Sequence, residues 1–188
     1  MTKKEQRVLA LQKRRALTDE ERKEKSLALS EALWALPEVK QAGTIFSYFA
    51  TYDEADLKAF DEMASQAGKR LAYPISLPHG IMKAAVPEGP ESLAAGAYGI
   101  LAPAEDASEI LKPEEIDVIL VPCVAFDKEG RRLGHGAGYY DRYMPMLRPE
   151  VLKILIAFDA QELDYVETEP TDIPVDIIVT ESGAVRLA

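Results

Sequence analysis

A glycine-rich stretch, RRLGHGAGYYDRY at residues 131–143, holds the residues of this chain that are best suited to chemistry. Gly134, Gly136 and Gly138 alternate along it, and Asp141 follows three residues later. Glycines at a strand-to-helix junction allow backbone N–H groups to approach an anion without an intervening Cβ atom. A following helix adds its own free N–H groups. The stretch predicts a phosphate-binding loop, although a tight structural turn also explains the glycine spacing.

The side chains around this loop each have two interpretations. Asp141 suits Mg²⁺, which takes one or two carboxylates and fills its shell with water and phosphate oxygens, but acids also favour helix N-termini. Tyr139 and Tyr140 either stack on a flat ring or face the core. Arg142 either binds phosphate or pairs with an acid. His135, between two glycines, fits a solvated loop residue better than a general base.

Two more acids and one thiol come near the ends of predicted strands. Glu54 lies in the loop after the first strand, either facing a site or starting a helix. Asp172 precedes the last strand, as a turn residue or a second metal ligand. Cys123 is the single cysteine, which excludes an internal disulfide and a cysteine metal cluster; we expect it to be a buried small apolar residue.

The elements that must position these residues alternate between helix and strand. Predicted helices cover 2–16, 18–36, 53–69 and 139–147, and predicted strands cover 43–51, 70–76, 115–127, 152–159 and 176–180. Loops with short extended pieces are predicted for 77–115. The later strands are continuous apolar runs, which are typical of parallel strands buried on both faces. The order predicts an α/β fold: a three-layer α/β/α, open, mostly parallel, Rossmann-like sheet with N-terminal helices. Ligands then bind beyond the carboxyl ends of the strands.

Composition limits the classes of partner. The chain has 188 residues and a formal net charge of −10, which argues against nucleic acid. No apolar run approaches the ~20 residues of a membrane span, and the N-terminus lacks the apolar core of a signal peptide, so we expect a cytoplasmic protein with no membrane partner. The N-terminal fifteen residues hold one acid, Glu5, against a set of bases: Lys3, Lys4, Arg7, Lys13, Arg14 and Arg15. These bases form either a solvated helix face or a patch for a small anion.

Neither the GxGxxG nor the GxxxxGK[ST] phosphate motif is present. The stretch instead resembles the RLGxGxGYYD motif of the 5-formyltetrahydrofolate cyclo-ligase family, also called methenyltetrahydrofolate synthetases. The matching residues are Arg132, Leu133, Gly134, Gly136, Gly138, Tyr139, Tyr140 and Asp141. The resemblance extends over nearly the whole chain and implies a single cyclo-ligase domain over 1–188, which we expect to be a monomer or weak dimer.

The resemblance also implies roles for individual residues. Lys3 and Arg7 match the spacing of the family's ATP-binding bases. The implied catalytic residues are Glu54, Arg132, Tyr140 and Asp141, and the implied ATP-binding residues are Lys3, Arg7, Arg132, Leu133, Gly134, His135, Gly136, Ala137, Gly138, Tyr139 and Tyr140. The implied substrate-binding residues are Phe49, Glu54, Tyr98, His135, Gly136, Gly138 and Tyr139, and the implied Mg²⁺ ligands are Asp141 and Asp172.

The implied reaction is an ATP-driven ring closure of 5-formyltetrahydrofolate to 5,10-methenyltetrahydrofolate. The formyl oxygen takes the γ-phosphoryl group of ATP, N10 attacks the activated carbon, and phosphate leaves. Phosphoryl transfer needs positioning and charge neutralisation more than covalent help from the protein. A further hypothesis is that the basic N-terminal helix folds over the glycine loop, which would reconcile two anionic substrates with an acidic chain.

Two positions depart from the family pattern. Ala137 stands where many members have a basic residue, and Ala102 stands where many have an acid before a proline. His135 or Arg142 are the candidates to replace the missing base. Ala137 therefore leaves open a non-catalytic folate- or nucleotide-binding relative. A sugar-phosphate isomerase or CoA transferase on a similar scaffold is a further alternative, which would need no ATP.

Overall fold

The computed structural model describes residues 1–187, except for the side chain of Tyr98. Its α-helices are α1 (Lys3–Arg15), α2 (Asp19–Ala35), α3 (Pro37–Gln41), α4 (Lys58–Gln66) and α5 (Tyr139–Tyr143). Its strands are β1 (Thr44–Phe46), β2 (Arg70–Leu77), β3 (Ile81–Pro87), β4 (Leu93–Ala95), β5 (Leu101–Pro103), β6 (Ser108–Leu111), β7 (Val118–Pro122), β8 (Ala125–Phe126), β9 (Arg132–Leu133), β10 (Leu152–Ile156), β11 (Ile177–Thr180) and β12 (Gly183–Arg186). No helix among the described residues is long and apolar enough to cross a membrane.

One eight-stranded sheet organises the chain, in the order β12-β11-β10-β7-β1-β2-β3-β6. Its five central strands, β11, β10, β7, β1 and β2, are parallel, and they fall in the five predicted strand segments. The outer strands β12, β3 and β6 run antiparallel to their neighbours. The predicted open, mostly parallel sheet is therefore confirmed.

Local signals in the sequence fix the helix ends. The Thr2 and Thr18 hydroxyls each accept from the backbone N–H three residues on, while Glu5 and Glu21 reach back to the cap N–H groups. Helix α4 ends where Gly68 takes a φ of +75°, a left-handed conformation that glycine adopts without strain.

Both faces of the sheet are covered. The buried side chains of α2 and α4, including Leu29, Leu33 and Phe60, pack on one face. On the other face, the α5 segment contributes Tyr143 and Met144, which pack against the strands. These two layers leave the carboxyl ends of the parallel strands free to form a site.

Several predicted boundaries were wrong. The first strand ends at Phe46 and α4 begins only at Lys58, so residues 47–57 form a long loop. Helix α5 stops at Tyr143, because Pro145 lacks the N–H that a longer helix needs. The segment 77–115, predicted as loops with short extended pieces, contains four strands, and two of them extend the main sheet, which was not predicted.

The chain order places a crevice between β1 and β7. From β1 the chain moves to β2 on one side and later crosses to β7 on the other side. Such a reversal opens a crevice beyond the carboxyl ends of the two strands. The loop after β1 and the segment that follows β7 both start there, so the fold brings Glu54 and the glycine loop to one place.

Candidate active site

A cavity of about 980 Å³ lies at this crevice. Its walls come from α1, the loop after β1, the glycine loop and the segment 169–173. The predicted site residues that line it are Lys3, Arg7, Phe49, Glu54, Asp172 and all ten residues from Arg132 to Asp141. Tyr98, the remaining predicted site residue, has a side chain that lies outside the described residues.

Helix α1 crosses the glycine loop. The Nε atom of Arg7 donates to the carbonyl oxygen of Gly134 at 2.8 Å, and Lys3 lies in the same cavity wall. The hypothesis that the basic helix folds over the loop therefore agrees with the geometry. Gly136 and Gly138 take φ values of +105° and +71°, so their backbone favours glycine.

Gly134 differs from the other two loop glycines. Its φ is not in the left-handed region, and no described atom would lie within 4 Å of a Cβ atom there, its chain neighbours aside. Nothing in the described part of the fold therefore requires a glycine at this position. By contrast, a Cβ atom on Gly138 would lie 2.9 Å from a guanidinium nitrogen of Arg142.

Asp141 and Arg132 form an ion pair at the base of the loop. Nη2 of Arg132 lies 2.5 Å from Oδ1 of Asp141, and the Arg132 side chain is only 4% exposed. The same carboxylate oxygen accepts from the backbone N–H of Ile173 at 3.1 Å. The pair fixes the start of α5 against the segment that carries Asp172.

A second cation–acid contact lies beside the first. Nζ of Lys3 donates to Oδ2 of Asp172 at 2.9 Å. Burial works to raise the pKa of Asp172, but the hydrogen bonds from Lys3 and the backbone N–H of Glu169 hold it below its usual value. Asp172 is therefore an ionised carboxylate at neutral pH.

Glu54 is buried at the other side of the loop. Its Oε2 accepts from the backbone N–H of Thr51 at 2.9 Å, and its Oε1 lies 3.4 Å from Nε2 of His135. Burial works to raise the pKa of Glu54, but these two contacts, together with the charge of Arg14, keep it below its usual value. The prediction that Glu54 starts a helix is wrong, because α4 begins four residues later.

Three aromatic residues, Phe49, Tyr139 and Tyr140, also line the cavity. Phe49 stacks on Tyr73 with ring centroids 4.1 Å apart and 10° between the ring planes. The Tyr139 hydroxyl donates to the carbonyl oxygen of Leu77 at 3.0 Å. Burial, with the nearby charge of Glu54, raises the pKa of Tyr140 and keeps its hydroxyl protonated. Both tyrosines combine packing against the core with a place in the cavity wall.

The sequence places Arg14 among the N-terminal bases but does not predict its burial. Arg14 is 1% exposed and pairs with Asp53 at 2.9 Å, which ties α1 to the loop that carries Glu54. The spacing of Lys3, Arg7 and Arg14 places them on one face of a helix, and this periodicity could have identified Arg14. Arg142, for which the sequence suggests either a phosphate ligand or an ion-pair partner, is an exposed cation at the cavity wall and donates to the backbone oxygen of Ala137 at 2.6 Å.

Cys123 fits its predicted role. It is 3% exposed, and burial raises the pKa of its thiol to about 12. A thiol with such a pKa stays protonated at neutral pH and is a poor nucleophile. The cavity therefore depends on carboxylates, guanidinium groups and backbone groups for its chemistry.

Comparison with known proteins agrees with this arrangement. The model of the 5-formyltetrahydrofolate cyclo-ligase family matches residues 1–181. The 5-formyltetrahydrofolate cyclo-ligase of Escherichia coli K12 is 31% identical over 174 residues, which cover 91% of this chain and 96% of that protein. The structure of Aquifex aeolicus 5,10-methenyltetrahydrofolate synthetase has a TM-score of 0.86 and 36% identity, covering 100% of this chain and 93% of that one.

A second solved structure, the 5,10-methenyltetrahydrofolate synthetase from Mycoplasma pneumoniae, has a TM-score of 0.80 and 28% identity. It covers 96% of this chain and 99% of the other. The similarity thus spans both the sheet and the loops that build the cavity, and it disfavours an isomerase or a CoA transferase. The chain belongs to the 5-formyltetrahydrofolate cyclo-ligase family and is a ligase of folate one-carbon metabolism.

Proposed function

We propose that this enzyme closes the ring of 5-formyltetrahydrofolate to 5,10-methenyltetrahydrofolate at the expense of ATP, releasing ADP and phosphate. One observation carries the proposal: two chemically different walls face the same cavity. The anion-binding wall consists of Lys3, Arg7 and the glycine loop. The aromatic wall consists of Phe49, Tyr139 and Tyr140, and it includes the Glu54 carboxylate, whose side chain is 9% exposed. The cavity volume of about 980 Å³ is at the upper end of the ~300–1,000 Å³ typical of small-molecule sites, which suits two substrates together.

The triphosphate of ATP fits the wall formed by α1 and the glycine loop. Lys3 and Arg7 project from one face of α1 into the cavity, and Arg7 contacts the glycine loop at the Gly134 carbonyl oxygen. The remaining implied ATP-binding residues, from Arg132 to Tyr140, complete this wall. Arg142, which donates to the backbone oxygen of Ala137 at 2.6 Å, takes the place of the base that the family pattern has there.

Replacement of Gly134 by alanine tests the loop. We expect Gly134→Ala to leave the melting temperature unchanged, because its Cβ meets no described atom outside its chain neighbours. We also expect it to raise the Kd for MgATP by about tenfold, because the methyl group would occupy the space that the loop leaves for the ligand. Gly138→Ala should instead destabilise the protein by about 1–2 kcal/mol through its strained φ. Calorimetry and thermal unfolding measure both. Native MgATP affinity in Gly134→Ala would contradict the loop's role.

The residues present suit Mg²⁺. Among the described residues, no hydrogen bond reaches Oδ2 of Asp141 or Oδ1 of Asp172, so each carboxylate keeps one oxygen for a ligand. Mg²⁺ takes one or two carboxylates and completes its octahedron with water and phosphate oxygens. When bound, the ion would neutralise charge on the transferred phosphoryl group.

The chemistry follows from the weak reactivity of a formamide. The formyl oxygen attacks the γ-phosphorus of ATP, the bond to the bridging oxygen breaks, and ADP leaves. N10 then attacks the formyl carbon, loses its proton, and the C–O bond breaks to release phosphate and leave the methenyl cation. Arg132 and the loop N–H groups stabilise the negative charge of the transferred group, and the protonated Tyr140 hydroxyl donates a hydrogen bond within the same site.

Glu54 and Phe49 serve the folate. Phe49 presents a ring face to the flat pterin, with Tyr139 and Tyr98 as further aromatic partners. Glu54, ionised at neutral pH, accepts the N10 hydrogen bond and takes the proton as the new C–N bond forms. A weakly basic carboxylate suffices, because N10 becomes strongly acidic once it has bonded to carbon. His135 lies against Glu54 and holds it in place.

An absorbance assay tests the proposed function. We expect purified protein with MgATP and 5-formyltetrahydrofolate to accumulate the near-ultraviolet band of the methenyl product. Samples without ATP, or with EDTA in excess over Mg²⁺, should show none. If no product forms while calorimetry still detects folate binding, the chain is the non-catalytic relative.

Several further expectations from the sequence stay predictions. They are the cytoplasmic location, the single domain over 1–188, the monomer or weak dimer, and the absence of nucleic-acid or membrane partners.

A further inference from the structure

A half-buried carboxylate lies just behind the aromatic wall of the cavity. Asp61 is on the inward face of α4, one helical turn after Leu57 and one before Ala64. Its Oδ1 accepts from the Ser47 hydroxyl at 3.0 Å, and its Oδ2 accepts from the Tyr73 hydroxyl at 2.9 Å. Asp61 itself is not part of the cavity wall.

The Tyr73 ring connects this carboxylate to the cavity. Tyr73 is 8% exposed, so its ring is fixed between α4 and the loop after β1. One of its faces carries the stacked Phe49, with 10° between the ring planes. Phe49 is half-buried and lines the cavity. A rotation of Tyr73 about its ring axis or its χ angles would therefore tilt the aromatic surface that the substrate meets.

An ionised carboxylate without a cationic partner is an energetically unfavourable group with which to hold the Tyr73 ring. No lysine, arginine or histidine among the described residues forms a hydrogen bond or an ion pair with Asp61. The titratable groups that face it are Tyr73 from β2, Tyr48 from the loop after β1, and Asp56 just before α4. Burial raises the pKa of Asp61 to about 7, although the hydrogen bonds from the Tyr73 and Ser47 hydroxyls act to lower it. An asparagine would avoid this penalty, but its single amide oxygen could not accept from both hydroxyls in the arrangement that the carboxylate has.

We propose that Asp61 is a positioning residue for the folate half of the cavity, which sets the plane of Phe49 through the Tyr73 hydroxyl. This inference rests on the proposed function, because it assumes that Phe49 receives the pterin ring. The ionised carboxylate accepts from both hydroxyls, which is the arrangement in the structure. A protonated acid must reverse one of the two bonds and so loosens the ring pair.

The test is the pH dependence of folate affinity. Native protein should bind 5-formyltetrahydrofolate, in the presence and absence of MgATP, about three- to tenfold more tightly at pH 8 than at pH 6. Asp61→Asn mimics the protonated form, so its Kd should be independent of pH and close to the native value at pH 6. Tyr73→Phe keeps the stacked ring but loses the hydroxyl, and should behave likewise. MgATP affinity should stay within about twofold of native in both variants.

Stability provides a separate check that the variants fold. The raised pKa means that native Asp61 keeps its proton when the unfolded chain has lost it, so native stability falls as the pH rises from about 4 to about 7. Asp61→Asn should therefore melt at a higher temperature than native at pH 8, and the difference should shrink toward pH 4.

Three outcomes separate the possibilities. A native pH dependence that is lost in Asp61→Asn and Tyr73→Phe, with MgATP binding retained, supports the positioning role. The same pH dependence in native and Asp61→Asn, or equal losses of folate and MgATP affinity, overturns it and leaves Asp61 a structural residue. Native protein that binds no folate at either pH overturns the proposed function, and this inference with it.

Discussion

Replacement of Glu54 by glutamine should lower kcat by about 100-fold or more, with the KM for ATP unchanged within about twofold. Glutamine keeps the shape of the side chain and can still accept from the Thr51 N–H, so the loop after β1 keeps its fold. It cannot take the N10 proton, and it carries no charge to stabilise a developing cation. Steady-state kinetics followed through product absorbance measure both parameters.

Glu62→Gln is the matched control for this substitution. Glu62 is exposed on α4 and makes none of the hydrogen bonds that hold Glu54, so the same loss of one negative charge should leave kcat within about twofold. If Glu54→Gln retained more than half of the native kcat, the proton of N10 would have to leave by another route. An equal fall in both variants would point to the net charge of the protein instead.

Loss of the buried Arg14 guanidinium should destabilise the protein strongly. Arg14→Met keeps much of the volume but leaves Asp53, which is 2% exposed, without its buried partner. Breaking a buried ion pair from one side typically costs about 3–5 kcal/mol. Because Asp53 is the neighbour of Glu54, kcat should also fall in the fraction that stays folded. Denaturant unfolding at pH 7 measures the free energy of unfolding.

Arg15 supplies the control, because it contacts the same carboxylate from solvent. Its Nε lies 3.1 Å from Oδ2 of Asp53, but its side chain is 56% exposed. Arg15→Met should therefore cost less than about 1 kcal/mol. The double variant Arg14→Met with Asp53→Asn should recover part of the stability, since it leaves no unpaired buried charge. Equal losses in Arg14→Met and Arg15→Met would contradict the importance of burial here.

The parallel centre of the fold could be predicted because its signals are local. Continuous apolar runs marked β7, β10 and β11, and capping residues marked the starts of α1 and α2. Short extended pieces were predicted between residues 77 and 115, but their pairing was not. These strands are edge strands and a hairpin, whose pairing depends on distant partners rather than on an apolar run. The late start of α4 also has a tertiary cause, since Asp53 and Glu54 bind residues of α1 and of the glycine loop.

The candidate site divides in the same way. The glycine loop, Lys3, Arg7 and Glu54 belong to motifs, and the structure brings them to one cavity. Arg14 and Asp61 belong to no motif, because each acts through contacts with another element of the fold rather than with its neighbours in the chain. A signal for Asp61 existed nonetheless: Leu57, Phe60 and Ala64 are buried at helical spacing, and Asp61 completes that stripe as its one acid.

The fate of the formyl oxygen tests the central claim most directly. The substrate would be 5-formyltetrahydrofolate labelled with ¹⁸O in the formyl group, turned over with MgATP in ordinary water, and the released phosphate analysed by mass spectrometry. The proposed mechanism predicts one ¹⁸O atom in each phosphate, because that oxygen accepts the γ-phosphoryl group and leaves with it. Unlabelled phosphate, with the ¹⁸O recovered in water, would contradict phosphorylation of the formyl oxygen and with it the proposed use of ATP.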